Sequence, residues 1–335
     1  VSIAATSSKW GSDCEVAPLS NDHTRRSTPG IEDVRAAARR IAPHVHRTPV
    51  VTCAGLDRIA GALLFFKCEN LQKVGAFKAR GATNAVLSLA DAEARRGVAT
   101  HSSGNHAAAL ARAAALRGAP AHIVMPRTAP DVKRAAVSGY GAEITDCEPT
   151  LAARESTLAE LVERTGATFI HPYDDPVVIA GQGTAALELL EEVPDIDAVI
   201  APIGGGGLLS GTVIAAGGRS RDVAVFGAEP QGADDAFRSL RDGVIYPSVR
   251  PETIADGLLT SLSELTFAIL HGHVAGILTV SEEGIVEAMR LVWQRAKLVV
   301  EPSGAVPFAA VLEHRDRFQD RRVGIILSGG NVDLD

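Results

Sequence analysis

The sequence predicts a two-lobed α/β protein built on open, mostly parallel sheets with helices on both faces. Three observations predict it. Short apolar runs alternate with helical stretches from about residue 63 to the end, and such alternation implies right-handed crossovers and parallel pairing. The 335 residues are enough for two lobes rather than one core. The most unusual loops each follow a strand candidate directly, where open parallel sheets bind their ligands.

Taken in order, Thr28-Pro29 reads as a helix start, a cap residue followed by proline at the first helical position. This helix places Ile31, Val34, Ala38 and Ile41 on one face and ends before Pro43. The apolar run Leu63–Glu69 is a strand, and an Ala-rich helix opens at Lys78 and runs to about Leu89. Further strands are expected at Gly97–Thr100, Ala121–Met125, Ala142–Cys147, Thr168–His171, Ala198–Ile203, Val223–Ala228, Ile277–Val280 and Val323–Leu327. Helices between them are expected to begin near Asn105, Ala129, Leu151, Val177, Leu208, Ala233, Ser281 and Ser303. No internal repeat or Pro/Ser-rich linker divides the chain, so two lobes require it to cross over and return.

Composition narrows the function. Hydrophobic residues at 46% and charged residues at 22% describe a soluble globular chain. A formal net charge of −7 argues against a nucleic-acid partner. No apolar run approaches the roughly 20 residues of a membrane span. Cys14, Cys53, Cys68 and Cys147 lie far apart without a Cys-x-x-Cys pair. They read as reduced thiols of a cytoplasmic protein rather than a zinc site or disulfide frame. Residues 1–28, Ser/Thr-rich and lacking an apolar centre, read as a flexible leader.

Four stretches carry chemistry. Lys78 sits at a strand-to-helix corner in Lys-Val-Gly-Ala-Phe-Lys-Ala-Arg-Gly, beside Phe77 and small residues. Partial desolvation there favours the neutral amine that Schiff-base chemistry needs. In Ile203-Gly204-Gly205-Gly206-Gly207-Leu208, four glycines before a helix expose N–H groups at its positive end, a cradle for phosphate. Nucleotide patterns fit it poorly, since Thr212 stands where a P-loop requires lysine and Leu209 or Ser210 replaces the third glycine of a dinucleotide fingerprint. His101-Ser102-Ser103-Gly104-Asn105-His106 offers hydroxyls, an amide and helix-start N–H groups suited to a carboxylate; ordinary capping is the alternative. Ser328-Gly329-Gly330-Asn331 follows the last strand, where its glycines would let a flat ring approach; an ordinary turn is the alternative.

In this order and combination the four motifs resemble the fold-type II pyridoxal-phosphate enzymes, in the serine/threonine dehydratase and serine racemase branch. The resemblance runs from about residue 29 to 335. Cys68-Glu69-Asn70-Leu71-Gln72, Ala180-Gly181-Gln182-Gly183-Thr184 and Glu301-Pro302-Ser303-Gly304-Ala305 are similar to that branch as well. Ala76 departs from it, because many relatives carry serine there.

The resemblance implies a large cofactor domain from 29–96 and 175–335, with a small mobile domain from 97–174 between its parts. It implies that Lys78 holds pyridoxal 5′-phosphate and later acts as base on the substrate α-carbon. Phe77 would pack beside the ring, Asn105 would bond the phenolic oxygen, Gly204, Gly205, Gly206, Gly207 and Leu208 would hold the phosphate, and Ser328 would face the pyridine nitrogen. Ser102, Ser103, Asn105 and His106 would bind the substrate, an amino acid. Ser103, on the opposite face, would reprotonate the α-carbon and so racemise. A neutral hydroxyl at the ring nitrogen makes a weaker electron sink and suits β-elimination better than transamination.

The implied activity is therefore ammonia-lyase (dehydratase) action on 3-hydroxyaspartate or serine, with serine racemase or short catabolic threonine deaminase as the alternative. Arg154, after the strand Ala142–Cys147, matches an arginine near the substrate's distal end in the racemase branch, and a solvated helix-face charge is the other reading. Glu229, Ala233 and Asp235 resemble the family's divalent-metal loop and would hold Mg²⁺, or Mn²⁺ or Ca²⁺. The structural alternative is that Asp234 or Asp235 caps the next helix. Relatives are commonly homodimers. The chain ends at Asp335, soon after the last motif, which leaves no room here for a regulatory domain.

Overall fold

The computed structural model describes residues 28–219 and 222–332. All but the last residue of the expected leader therefore lie outside the described residues. Among the described residues ten strands form two sheets. They are β1 (Val50–Val51), β2 (Leu63–Cys68), β3 (Val98–His101), β4 (Ala121–Pro126), β5 (Glu143–Cys147), β6 (Thr168–Phe169), β7 (Ala198–Pro202), β8 (Ala224–Pro230), β9 (Gly276–Val280) and β10 (Arg322–Leu327).

The six-stranded sheet has the order β1-β2-β10-β7-β8-β9 and is parallel except for β1, which pairs antiparallel with β2 at the edge. The four-stranded sheet, β5-β4-β3-β6, is wholly parallel. Parallel strands buried on both faces read as continuous apolar runs, and β7 (Ala-Val-Ile-Ala-Pro) and β10 (Arg-Val-Gly-Ile-Ile-Leu) do so. One apolar cluster, including Phe66, Ile285, Phe308 and Phe318, packs on one side of the large sheet. Another, including Leu189, Ile196, Leu209 and Leu270, packs on the other.

All nine expected strands are present within a residue or two. The first helix differs. It spans Ile31–Ile41, because Gly30 is extended (ψ −177°) and so Pro29 lies outside the helix. The cap comes from Asp33, whose Oδ2 accepts the Gly30 N–H at 2.8 Å. Gly97, expected at the head of a strand, instead ends the helix Asp91–Arg96 with φ +91°. The helix expected near Ala129 begins at Asp131, after Pro130.

The insertion of β10 between β2 and β7 positions the site. It brings Val323 beside Leu64 and Ala198, residues far apart in sequence. The loops leaving the carboxyl ends of β2, β10 and β7 therefore open side by side.

Candidate active site

The loop after β2 reaches Lys78 through a forced turn. Val74, in the turn Lys73–Gly75, has φ +54°, a left-handed conformation that a β-branched residue adopts only under constraint. The constraint is visible. Asn331 Nδ2 donates to Val74 O at 2.7 Å and Gly330 N donates to Gly75 O at 2.9 Å. Phe77 N then donates to Ser328 O at 2.9 Å, so the loops of β2 and β10 are stitched together where Lys78 begins its helix. Lys78 Nζ lies 5.1 Å from the centre of the Phe77 ring and donates to Pro172 O at 2.9 Å. Burial lowers its pKa to about 8.

Two residues on, Arg80 is fully buried and forks onto two carboxylates. Its Nε and Nη2 donate to Glu69 at 2.7 and 2.8 Å, and its Nη1 and Nη2 donate to Glu188 at 2.8 Å each. Lys67 Nζ completes the set with a 2.6 Å bond to Glu188. Burial alone would raise the Glu69 carboxyl, but the Arg80 guanidinium holds it below its ordinary value. Two acids and two bases balance, and the network anchors the first turn of the Lys78 helix.

The tetraglycine loop fits a phosphate. None of the N–H groups of Gly204, Gly205, Gly206 and Gly207 finds an acceptor among the described residues, although three of these residues are buried at the start of the helix Gly207–Gly217. Unpaired buried N–H groups at a helix N-terminus call for an anion. Side chains are excluded on every side. A Cβ on Gly205 would fall 2.4 Å from the Tyr173 ring, and one on Gly206 would fall 2.8 Å from Leu262.

The loop after β3 supplies the opposite wall. His106 is buried, its Nε2 lies 3.2 Å from Ile170 O, and burial lowers its pKa to about 3, so the ring is neutral. Its Nδ1 has no hydrogen-bond partner among the described residues. Ser102 Oγ accepts the Gly104 N–H at 3.3 Å, while the half-buried Ser103 makes no hydrogen bond among the described residues. Asn105 Nδ2 donates to both oxygens of Glu301, at 3.0 and 3.2 Å. Ser328 is 2 % exposed at the end of β10.

Arg154 sits in the first turn of the helix Leu151–Thr165, whose cap is the Thr150 hydroxyl accepting from Ala153 N at 3.2 Å. It is half-buried, and its Nε is buried without a partner among the described residues. After burial, the charge of Arg154 is the next cause of the lowered pKa of His101. The charge of Arg154 is thus felt at His101, the last residue of β3, where the Ser102–Asn105 loop starts.

Glu229 is 1 % exposed at the end of β8, and burial pushes it up to about 9. Asp235 is pushed up to about 6, also by burial, and its Oδ2 has no partner among the described residues. Two buried carboxylates with raised pKa values and an orphaned oxygen fit a cation. Among the described residues no three His, Cys, Asp or Glu side chains gather as ligands, so Ala233 would have to give its carbonyl and waters the rest. The expected alternative, capping by Asp234 or Asp235, is not what the structure has. Glu229 caps the helix Asp235–Asp242 itself, accepting from Ala236 N at 3.3 Å and Phe237 N at 2.5 Å.

A family model described as "Pyridoxal-phosphate dependent enzyme" matches residues 41–329. The chain belongs to this family. It is 53% identical to beta-hydroxyaspartate dehydratase of Paracoccus denitrificans over 92% of this chain and 98% of that one. It is 48% identical to L-threo-3-hydroxyaspartate ammonia-lyase of Saccharomyces cerevisiae, over 91% and 94%. The crystal structure of serine racemase from Dictyostelium discoideum superposes with a TM-score of 0.88 at 50% identity, covering 92% of this chain and all of that one.

Sequence reading missed the segment after β6. His171 Nδ1 accepts the Asp174 N–H at 2.8 Å and so shapes the turn that lays Tyr173 over the glycine loop, while Pro172 gives Lys78 its acceptor. The signal was available, because Pro172-Tyr173 directly follows the strand candidate Thr168–His171. Sequence reading quoted the stretches that hold Glu301, Glu69 and Arg80 but gave those residues no role, because buried charges declare themselves only through their partners.

Proposed function

We propose that this pyridoxal-phosphate enzyme is an ammonia-lyase that converts a β-hydroxy amino acid to a keto acid and ammonia, with 3-hydroxyaspartate preferred over serine. The observation that carries the substrate is Arg154. Its buried, unpartnered Nε beside His101 supports a second carboxylate at the distal end of the site. A guanidinium fork pairs bidentately with a carboxylate in a way that a hydroxymethyl group cannot replace. The substrate class is that named for the Paracoccus and yeast relatives.

When bound, the cofactor supplies an electron sink for the charge left at the substrate α-carbon. Lys78 would hold it until the substrate amine displaces Nζ, and Nζ, then a neutral amine, would take the α-proton. The glycine-loop N–H groups would hold its phosphate, Asn105 its phenolic oxygen and Ser328 its ring nitrogen, and Phe77 would pack beside the ring. Ser102 Oγ and the backbone N–H groups of Asn105 and His106, at the start of the helix Asn105–Arg117, would orient the substrate α-carboxylate. The β-hydroxyl would then leave, taking up a proton to replace the one removed at Nζ so that one water is lost, and the unsaturated amine would take up one water to give the keto acid and ammonia. Residues 97–174 close over residues 29–96 and 175–335. Mg²⁺ at Glu229, Ala233 and Asp235 stiffens the large domain, and the protein works as a cytoplasmic homodimer. The free Cys53, Cys68 and Cys147 are consistent with a reducing compartment.

Serine racemisation is the second reading, favoured by Ser103, whose hydroxyl makes no hydrogen bond among the described residues. Keto-acid release from L- and D-serine, L-threonine and the threo-3-hydroxyaspartates tests the proposal. Hydroxyaspartate should lead and threonine should be poor. Arg154→Ala should cost hydroxyaspartate more than serine, by about 1.5–3 kcal/mol for a lost charged hydrogen bond. Equal losses on both substrates would move the assignment to serine.

A further inference from the structure

Glu301 is a buried carboxylate at the site to which the reading above gives no task. It is 6 % exposed and stands just before the helix Pro302–Glu313. Its oxygens accept from Asn105 Nδ2 at 3.0 and 3.2 Å, and Oε2 also accepts the Asn331 N–H at 3.2 Å. A Cβ on Gly329 would fall 2.3 Å from Oε1, so the carboxylate lies directly against the residue that follows Ser328. On the other side of the amide, Asn331 Nδ2 donates to Asn105 Oδ1 at 2.8 Å.

The hydrogens of Asn105 can be counted. A side-chain amide has two N–H donors and one carbonyl acceptor. Here the carbonyl is taken by Asn331 and one N–H is shared between the two oxygens of Glu301. Turning the amide over would set its NH₂ against that of Asn331 and its oxygen against a carboxylate. These partners therefore assign the amide's O and N. One N–H is left over, and its direction is determined by the other two contacts.

We propose that Glu301 is a positioning residue whose carboxylate, together with Asn331, locks the Asn105 amide so that its remaining N–H is held out to the phenolic oxygen of bound pyridoxal phosphate. The proposal rests on the reading that Asn105 meets that oxygen. A charge-assisted acceptor suits the task, because such bonds are shorter and stronger than neutral ones. The lock holds only for the ionised form, since a protonated carboxyl carries a hydrogen of its own where it now accepts two donors.

Burial pushes Glu301 up to about 7; the Asn105 bond pulls it down, Asp256 raises it, and the Asn331 N–H and Lys133 lower it. Those two charged neighbours, on the helix Asp131–Ser138 and the turn Asp256–Leu258, pair with each other at 2.8 Å. The lock is thus present above neutral pH and weakens as pH falls through about 7.

The test uses holoenzyme without substrate. The near-visible absorbance of the bound cofactor is followed from acid to alkaline pH, and cofactor release on dilution is measured. Glu301→Gln keeps the shape but cannot titrate, and it turns an N–H toward a donor. Its absorbance should lose the transition near neutrality, and cofactor should be held about tenfold less tightly. In an Asn105→Ala background, which removes the mediator, Glu301→Gln should add little. An absorbance and retention equal to wild type at every pH would overturn the proposal, as would losses that add in full in the double variant. If Asn105→Ala alone changes neither readout, the Asn105 contact itself is wrong and the inference falls with it. Should Glu301→Gln not fold, Asn331→Ala frees the amide's other end; it should shift the absorbance and loosen the cofactor, and no change would count against the lock.

Discussion

Lys78 is tuned by burial rather than by a neighbouring charge, since desolvation is the sole cause of its depressed pKa. Only the neutral amine can attack an aldehyde, and the neutral fraction grows with pH. Covalent uptake of pyridoxal phosphate by cofactor-free protein should therefore accelerate as pH rises through about 8 and level off above it, as stopped-flow absorbance can follow. A rate still climbing in the ordinary lysine range would mean a solvated ammonium. Lys78→Ala should take up no cofactor covalently and should have no lyase activity. Ser103 belongs to the same scale. Ser103→Ala should suppress racemisation of serine, and elimination from D-substrates, by about a hundredfold or more relative to elimination from L-substrates, the size expected for losing a positioned acid. Equal losses in chiral product analysis would make it only a carboxylate ligand. Lys78 stood out in the sequence through local signals, Phe77, small neighbours and a helix start, joined to three further loops placed after strand candidates. Glu301 did not, because Asn105 and Asn331 reach it from 196 and 30 residues away.

The elements follow their local code closely. Apolar runs became strands, and Asp175 caps the helix Pro176–Glu192 as a cap residue before proline should. The unread elements are short. β1 has two residues, and the helices Ala54–Ala60 and Glu264–Leu270 have seven each, less than the two full turns that make a periodic pattern. Among the loops, the tetraglycine stretch needs its composition. Gly205→Ala would put a methyl into the Tyr173 ring, an overpacking worth about 1–3 kcal/mol, and cofactor affinity measured by absorbance should fall by a corresponding factor. Tyr173→Ala in the same chain should recover part of that affinity. No recovery would mean that the glycine serves backbone conformation alone. The Arg80 network shows where local reading stops. Charged residues in a strand and a helix look like solvent-facing positions until Glu69, Glu188 and Lys67 are seen to close around Arg80.

At the scale of the whole molecule, β8 carries the candidate cation ligand Glu229 at its carboxyl end, on the same side of the large sheet as the cofactor loops. Chelator should lower thermal stability and Mg²⁺ should restore it, by about 2.7 kcal/mol at a hundred times its Kd, because a cation held only by the folded state stabilises that state. Glu229→Gln should lose the response, and an unchanged melting curve with metal removal verified would leave Glu229 as a helix cap only. The site itself exists only in the assembled fold. Lys78, the glycine loop and Ser328 come from three strands that neighbour one another because the last strand inserts between β2 and β7, and Asn105, from the loop after β3 of the second sheet, meets Asn331 beside them. By itself the sequence determined the alternating α/β plan, the nine main strands and the residue types of each loop, because periodicity, caps and glycines act over a few residues. Only the tertiary structure decided the strand order, the burial that lowers Lys78, the amide lock at Asn105 and the closure around Arg80. Those depend on contacts between distant segments, whose energies appear only once water has been excluded from between them.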